Sequence, residues 1–202
     1  MSIDTVVFDV GKVLLEWDPR HLYRGLIPDA AAMERFLEEV CPPAWNLEQD
    51  RGRPWAAAIA ERIALFPRHA PLIRAFREQW HEMLTGPVPG SLEVLDALRA
   101  RGVPLYAITN YAADTFAESV TRFPVLRDAF HDVVVSGAES VVKPDAAIYR
   151  LLLDRNGLAA ERCLFIDDSH ANVRGAEAVG MAAHHFRDAP GLAAALRGFG
   201  LL

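Results

Sequence analysis

The chain has 202 residues, of which 51% are hydrophobic and 24% are charged, and its formal net charge is −6. This mixture is typical of a globular protein and excludes a mostly disordered chain. The acidic balance argues against a general nucleic-acid-binding protein, which normally carries a basic stripe. The length predicts one domain with an insertion, or two small lobes.

The N-terminal segment and the cysteines favour a cytoplasmic location. Asp4 and Asp9 flank a short apolar run, so the segment lacks the pattern of a signal peptide. No apolar run approaches the roughly 18 residues that a membrane span needs. Cys41 and Cys163 are far apart and lack metal-ligand spacing, which predicts two reduced, buried thiols. We expect a protein that binds neither membrane nor nucleic acid, as a monomer or homodimer.

Five short apolar runs predict the strands of a parallel sheet. The first run shows no polar alternation, which is typical of a strand buried on both faces. Several of the other apolar runs follow a helical pattern that ends in a glycine, as at Gly102, Gly157 and Gly180. The repeated order predicts an α/β fold, a doubly wound parallel sheet with right-handed crossovers. The predicted strands are 5–8, 103–109, 133–135, 163–166 and 181–186.

Helical patterns lie between these strands. Ser91 is the predicted N-cap of one helix, because apolar residues then recur at helical spacing before Gly102. Two further helices are predicted at 145–156 and 170–179. Each predicted helix therefore connects two strands of the sheet, as a crossover requires.

The interval between Leu15 and about Pro87 contains no convincing strand pattern. Helical patterns occur there at 31–40, 55–65 and 71–84. We interpret the interval as a helical lobe inserted after the first strand. It contains all four tryptophans of the chain, which are Trp17, Trp45, Trp55 and Trp80.

The predicted sheet brings several polar residues to one edge. Ligands of open α/β sheets bind beyond the carboxyl ends of the strands. An aspartate there can act as a nucleophile in aspartyl-phosphate chemistry, and clustered carboxylates need a cation or a lysine among them because they repel each other. Mg²⁺ prefers oxygen ligands, whereas lysine, threonine and asparagine can bind phosphate oxygens. The residues concerned are Asp9, Thr109, Asn110, Ser136, Lys143, Asp167 and Asp168.

In chain order, these residues resemble the four motifs of the haloacid dehalogenase superfamily of hydrolases. The similarity covers essentially the whole chain, and the four motifs together are a specific signal. It implies a Rossmann-like catalytic core formed by residues 1–15 and 87–202, and a mobile helical cap formed by 16–86. The matching segments are Phe8-Asp9-Val10-Gly11-Lys12-Val13-Leu14, Thr109-Asn110, Lys143-Pro144-Asp145 and Phe165-Ile166-Asp167-Asp168-Ser169.

The resemblance implies a Mg²⁺-dependent phosphatase that acts on a small phosphorylated molecule, with sugar phosphates among the candidate substrates. Asp9 would be the nucleophile. Of the adjacent carboxylates, Asp168 is the better candidate for a direct metal ligand, and Asn172 would support the pair. The implied catalytic residues are Asp9, Thr109, Asn110 and Lys143, and the implied Mg²⁺ ligands are Asp9, the backbone carbonyl of Gly11, Asp168 and Asp167.

Position 11 departs from the pattern of most phosphatases in this superfamily. They carry a second aspartate two residues after the nucleophile, as general acid and base, and this chain has Gly11. General acid–base catalysis typically contributes roughly 10²- to 10⁴-fold to the rate. The departure predicts a slower enzyme, an activated leaving group, or a substitute group from the cap. Some sugar-phosphate phosphatases of the superfamily resemble this chain in having Asp-x-Gly.

Two alternatives to a phosphatase remain open. The 2-haloacid dehalogenases of the superfamily use an aspartate nucleophile without a metal and also lack the second aspartate. The adjacent pair Asp167 and Asp168 favours the phosphatase, because it would repel a substrate carboxylate unless a cation were present. A non-catalytic phosphate-binding module is the second alternative.

Specificity is expected to depend on the cap. Its polar stretch, residues 48–53, is either a solvated loop or a substrate-recognition segment, and Glu48 and Arg51 are the candidates in it. Trp17 is a further candidate for substrate binding, with a place in the core of the cap as its alternative. Lys12 matches no role in the family motifs.

Overall fold

The computed structural model of the protein describes residues 2–202. Five of its seven strands form a parallel sheet and the other two form an antiparallel pair. The seven strands are β1 (Thr5–Phe8), β2 (Leu15–Trp17), β3 (Leu84–Pro87), β4 (Leu105–Thr109), β5 (Asp132–Val135), β6 (Cys163–Asp167) and β7 (Ala182–His185).

The strand order in the parallel sheet is β5-β4-β1-β6-β7, so β1 occupies the centre. Val6 pairs with Leu105 on one side and with Leu164 on the other. Every residue of β1 is buried, as its continuous apolar sequence predicts. All five predicted strands are confirmed. The strand predicted from Val103 begins only at Leu105, because the Val103 amide donates back to the preceding helix instead of to the sheet.

In the described part of the chain, twelve α-helices surround or follow the strands. Those of the sheet region lie on both of its faces, in hydrophobic clusters that include both strand and helix residues. The helices are α1 (Pro19–Leu26), α2 (Ala30–Arg35), α3 (Pro43–Asp50), α4 (Trp55–Leu65), α5 (Ala70–Glu78), α6 (Ser91–Ala100), α7 (Ala113–Arg122), α8 (Val125–Asp128), α9 (Ser136–Glu139), α10 (Ala146–Asn156), α11 (His170–Ala178) and α12 (Ala189–Gly198).

The predicted cap of α6 is wrong by one residue. Ser91 is the first helical residue, and Gly90 is the N-cap with a φ of +78°. A β-carbon at Gly90 would lie 2.9 Å from that of Ala189, so the chain needs glycine there for both conformation and space. The Ser91 hydroxyl is instead buried without a hydrogen-bond partner.

The inserted lobe contains more structure than its sequence pattern predicts. Strands β2 and β3 pair with each other at its two ends, which corrects the prediction of no strand in this interval. Strands this short leave little periodicity, and they gain a partner only when distant parts of the chain meet. Helices α1 and α3 were also missed, and each begins at a proline, which suits the first helical position.

The remaining helices of the lobe follow the predicted stretches with changes at their ends. Helix α2 continues as a π-helical turn over Phe36–Val40, and the predicted stretch 71–84 divides into α5, a 3₁₀ turn at Trp80–Met83 and β3. Helix α4 has the predicted bounds. Within residues 2–202, no helix is long and apolar enough to cross a bilayer.

Aromatic side chains form the centre of the lobe and join it to the sheet. Trp45 and Trp55 are buried and lie edge-on to each other, with ring centroids 5.8 Å apart. Trp80 packs on Tyr111, which follows β4, at the same centroid distance. Arg77 on α5 forms ion pairs with residues of α7. The lobe is therefore packed directly onto the sheet region.

Candidate active site

The polar residues predicted at the strand ends meet at one edge of the sheet. Asp9 follows β1, Thr109 ends β4 and Asp167 ends β6. Since β1 lies between β4 and β6, these three side chains come from adjacent strands. The central strand thus presents its aspartate between the other two groups.

Lys143 is the cation of this cluster. Its side chain is fully buried, and Nζ lies 2.8 Å from Oδ1 of Asp9 and 2.7 Å from Oδ2 of Asp167. Nζ also donates to the Ile108 carbonyl at 2.9 Å, which accounts for all three ammonium donors. Burial acts to lower the pKa of Lys143, but the two carboxylates outweigh it and raise that pKa overall. The lysine is therefore held charged and in one orientation.

Asp9 is buried next to two other carboxyl groups and a single ammonium group. Burial raises the pKa of Asp9 to about 8, Lys143 opposes this shift, and Asp167 and Asp168 add to it. Oδ1 of Asp9 also accepts the Val10 amide at 2.7 Å. An additional positive charge in the cluster would favour the ionised carboxylate that a nucleophile requires.

The acidic cluster fits a hard divalent cation. One oxygen each of Asp9, Asp167 and Asp168 lie within 4.8 Å of one another. Three carboxylates face a single buried ammonium, so the cluster has an excess of negative charge and a donor set of oxygens only. Mg²⁺ prefers such ligands.

Asp167 and Asp168 have different surroundings. Both oxygens of Asp167 already accept hydrogen bonds, from Lys143, from the Ser169 amide and from the Asn172 side chain. Asp168 is partly exposed and lines the adjacent cavity. Its carbonyl contacts Nε2 of His185 at 2.8 Å, which holds the turn after β6. Asp168 is thus the more accessible carboxylate of the pair.

Asn110 holds the backbone of Lys143 from both sides. Its Oδ1 accepts the Lys143 amide at 2.8 Å, and its Nδ2 donates to the Lys143 carbonyl at 3.0 Å. Thr109 is 1% exposed and lines the cavity. A direct contact of either residue with phosphate stays a prediction, whereas the positioning of Lys143 by Asn110 is visible in the structure.

A cavity of about 430 Å³ opens over the cluster, between the strand ends and the lobe. Trp17 lines it, whereas Glu48 and Arg51 do not. Their side chains are exposed and lie 3.8 Å from each other. The lining residues from the sheet region include Asp9, Gly11, Thr109, Asn110, Lys143 and Asp168, and those from the lobe include Trp17, Pro43, Asn46, Leu47 and Asp50.

Helix α3 contributes two polar residues that sequence reasoning missed. Asn46 and Asp50 are 7% and 6% exposed, and Asn46 Nδ2 donates to Asp50 Oδ2 at 3.0 Å. Oδ1 of Asn46 is buried without a partner. Burial raises the pKa of Asp50 to about 7, and a hydrogen bond from the Ala112 backbone opposes this. The spacing of four residues was a signal for a shared helix face, but only once the segment is known to be helical.

Comparison with known proteins places the chain in a family. The family model described as haloacid dehalogenase-like hydrolase matches residues 3–180. The chain belongs to this family. The resemblance inferred from the four motifs is therefore confirmed.

Several relatives within this family are phosphatases. A sesquiterpene phosphatase of Aspergillus oryzae is 32% identical over 195 residues, which cover 93% of this chain and 91% of the relative. A phosphatase of Mycobacterium tuberculosis is 29% identical, over 91% of this chain and 87% of the relative. The protein is accordingly an enzyme, a haloacid dehalogenase-like hydrolase of phosphatase type.

Solved structures of the family share the fold. A family enzyme of Bacteroides thetaiotaomicron, in complex with magnesium and inorganic phosphate, superposes with a TM-score of 0.70 at 21% identity. The match covers 92% of this chain and 95% of that one. The L-2-haloacid dehalogenase of Xanthobacter autotrophicus matches 99% of this chain and 84% of its own, at 19% identity and a TM-score of 0.63. The α/β fold is shared by members with different chemistry, so the reaction has to be argued from the site.

Proposed function

We propose that the protein hydrolyses a small organic phosphomonoester in a Mg²⁺-dependent reaction, through an aspartyl-phosphate at Asp9. The observation that carries this proposal is the buried Asp9 on the cavity wall, with the Lys143 ammonium 2.8 Å from its carboxylate and an Asp168 oxygen within 4.8 Å. An in-line attack needs an oriented nucleophile and positive charge around the phosphoryl oxygens. The cluster supplies both when a divalent cation is bound.

Asp9 carries the covalent step. One of its carboxylate oxygens forms a bond to phosphorus while the ester P–O bond breaks, and the leaving oxygen keeps that electron pair. Lys143 stabilises the charge on the phosphoryl oxygens, and Thr109 donates a hydrogen bond to them. Water then attacks phosphorus, the bond to Asp9 breaks, and inorganic phosphate leaves.

Asp9, Asp168 and the backbone carbonyl of Gly11 would hold Mg²⁺, which when bound neutralises charge on the phosphoryl group. Asp167 takes a different role in this proposal. Since its oxygens already accept hydrogen bonds from three donors, it orients Lys143 and Asn172 within the acidic cluster. Removing Asp167 would therefore displace the lysine as well as weaken the metal site.

The cavity suits a leaving group with both polar and apolar parts. Trp17 and Leu47 offer apolar surface, and Asn46 offers an acceptor without a partner. The relatives include a sesquiterpene phosphatase, phosphoglycolate phosphatases and a phosphatase of phosphorylated carbohydrates. Because they differ in substrate, we propose a small phosphomonoester as the class and include sugar phosphates in it.

Phosphate release from a panel of phosphomonoesters, measured with Mg²⁺ and with EDTA, tests the proposal. We expect release that needs Mg²⁺ and that falls by at least 10³-fold in Asp9→Asn, since the amide cannot serve as nucleophile. Asp154→Asn, which changes an exposed aspartate of α10, is the matched control. Undiminished release from Asp9→Asn would contradict the proposal.

The same samples also test the dehalogenase alternative, by chloride release from 2-chloropropionate. We expect none, because the negative cluster repels a substrate carboxylate. Chloride release in EDTA would assign the protein to metal-independent dehalogenases instead. Binding of phosphate without turnover of any ester would favour the non-catalytic module.

A further inference from the structure

We propose that Asp50 of α3 acts as the general acid and base that this chain lacks at position 11. The inference rests on the proposed phosphatase function and adds a residue to its mechanism. Asp50 belongs to the inserted lobe, whereas Asp9 and Lys143 belong to the sheet region. The complete site would therefore require both parts of the molecule.

Asp50 borders the space that a side chain at position 11 would occupy. A β-carbon built on Gly11 meets no atom within 4 Å, so the backbone there faces open volume. Gly11 and Asp50 both line the main cavity, and both also line a smaller pocket of about 70 Å³ beside it. Trp17, Asn46 and Asn110 also line both pockets. Asp50 and Gly11 therefore border the same space, one from the inserted lobe and the other from the sheet region.

Three contacts hold Asp50 in this place. Asn46 donates to its side chain at 3.0 Å, and the Ala112 backbone lies near enough to the same carboxyl group to favour its ionised form. The Ser136 hydroxyl, at the end of β5, donates to its backbone carbonyl at 2.5 Å. Ser136 and Ala112 both belong to the sheet region, so contacts from that region hold Asp50 in place relative to the acidic cluster.

The surroundings of Asp50 favour proton transfer near neutral pH. Burial raises its pKa to about 7, and no lysine, arginine or histidine in residues 2–202 forms an ion pair with it. The charge of Asp50 in turn contributes to a raised pKa of Tyr111. A general acid–base group works best with a pKa close to the working pH. The charged groups that share its cavity are Asp9, Lys12, Lys143 and Asp168.

The other titratable groups on the cavity wall have different tasks or positions. Asp9 is the nucleophile, and Asp168 lies in the acidic cluster. The three N–H groups of the Lys143 ammonium all point to acceptors within the protein. Lys12 is the remaining rival, an exposed side chain on the turn after β1. Among these groups, Asp50 alone is a buried carboxyl group outside the acidic cluster.

The proton balance is complete within this assignment. Protonated Asp50 gives its proton to the leaving oxygen as the ester P–O bond breaks and that oxygen takes the electron pair. The resulting carboxylate then accepts a proton from the water that attacks the aspartyl-phosphate. When Asp9 leaves as a carboxylate, Asp50 is again protonated and phosphate is the product.

Leaving-group dependence in Asp50→Asn tests the assignment. A simple alkyl phosphate needs a proton on its leaving oxygen, whereas 4-nitrophenyl phosphate does not. We expect kcat/KM for the alkyl ester to fall roughly 10²- to 10⁴-fold, and kcat/KM for the nitrophenyl ester to fall less than about tenfold. Glu78→Gln, an exposed carboxylate of the same lobe, is the matched control and should change neither value.

Asn46→Ala is the second variant, for the case in which Asp50→Asn fails to fold. It removes a hydrogen bond that favours the ionised carboxyl group, so the alkaline limb of the kcat/KM profile should move to higher pH. Lys12→Met tests the rival and should leave the contrast between the two esters intact.

The possible outcomes separate this inference from the proposed function. A wild-type protein that hydrolyses no ester overturns both. If the wild type is active and Asp50→Asn lowers kcat/KM equally for the two esters, or for neither, the acid–base role alone is overturned. The acid–base role would also be overturned if Lys12→Met, and not Asp50→Asn, lost kcat/KM selectively for the alkyl ester. An unchanged pH profile of kcat/KM in Asn46→Ala would overturn it as well.

Discussion

Lys143 illustrates how one buried residue can contribute both to stability and to the proposed chemistry. Its ammonium group is fully buried, which is costly unless each donor and each charge is matched. Asp9, Asp167 and the Ile108 carbonyl provide that matching. The same contacts place a positive charge beside the proposed nucleophile. The composition agrees with a specific role for Lys143, because arginine supplies nearly all of the 21 lysine and arginine residues and Lys143 is one of only two lysines.

Replacement of Lys143 should therefore affect folding as well as activity. We expect Lys143→Met to lose roughly 3–5 kcal/mol in the free energy of unfolding, because it leaves two buried carboxylates without their cation. Urea denaturation at pH 7 measures the loss. Lys12→Met removes the other lysine, which is exposed, and should change stability by less than about 0.5 kcal/mol. Equal stability of the two variants would contradict the buried ion pairs.

At the scale of elements, the loop that carries Lys143 depends on how closely α11 approaches it. Gly175 permits this approach, since a β-carbon there would lie 2.8 Å from the Pro144 carbonyl oxygen and 2.9 Å from the Tyr149 hydroxyl oxygen. The Tyr149 hydroxyl in turn donates to the Asn172 carbonyl on α11. The loop that carries Lys143, α10 and α11 therefore meet at a position with room for glycine only.

Gly175→Ala should push α11 away from the Lys143 loop. We expect a loss of roughly 1–3 kcal/mol in unfolding free energy, as for other overpacked sites, together with a lower kcat. Gly198→Ala in α12 is a matched control, because its new methyl group meets no atom within 4 Å. That variant should be neutral or more stable by up to about 1 kcal/mol, since alanine favours the helix. Thermal unfolding of both variants decides whether the close contact matters.

At the scale of the whole molecule, the inserted lobe and the sheet region form a common interior. One hydrophobic cluster contains lobe tryptophans together with Ala107, Tyr111 and Leu126 of the sheet region. Arg77 adds ion pairs across the junction, 3.1 Å from Asp114 and 2.6 Å from Glu118. Asp50 is buried at this junction, so its protonation is linked to the stability of the molecule.

That linkage has a definite sign. The folded protein raises the pKa of Asp50 from 3.8 to about 7, so the folded state holds this proton more tightly than the unfolded state. The Asp50 contribution to stability is therefore complete below about pH 3.8 and is lost as the pH rises to 7. From this shift we expect the stability of Asp50→Asn, relative to wild type, to rise by roughly 3–4 kcal/mol between pH 4 and pH 8.

Denaturant unfolding of wild type, Asp50→Asn and Glu78→Gln across this pH range measures the effect. The exposed control should follow the wild-type curve. A constant difference between wild type and Asp50→Asn at every pH would show that Asp50 is not a buried acid with a raised pKa. The measurement needs no substrate and no metal, so it is independent of the proposed reaction.

The sequence alone was sufficient to predict the sheet and the edge at which the candidate catalytic residues meet. Continuous apolar runs such as β1 occur only where both faces of a strand are covered, and the residue after such a run must lie at the sheet edge. Asp9, Lys143 and Asp168 were predicted on that basis and on the motif order, and the structure brings them together. Their positions depend on local strand boundaries, which local sequence patterns encode.

Only the tertiary structure determined which residues of the inserted lobe face the site. The sequence of residues 48–53 allows either a solvated loop or a recognition segment, but α3 turns Asn46 and Asp50 inward and leaves Glu48 and Arg51 exposed. Asp50 contacts Ser136 and Ala112, which lie more than sixty positions away in the chain. A short polar helix carries no signal of which face meets a distant strand end. Packing between the lobe and the sheet supplies that information, because it alone determines which carboxyl group is removed from water.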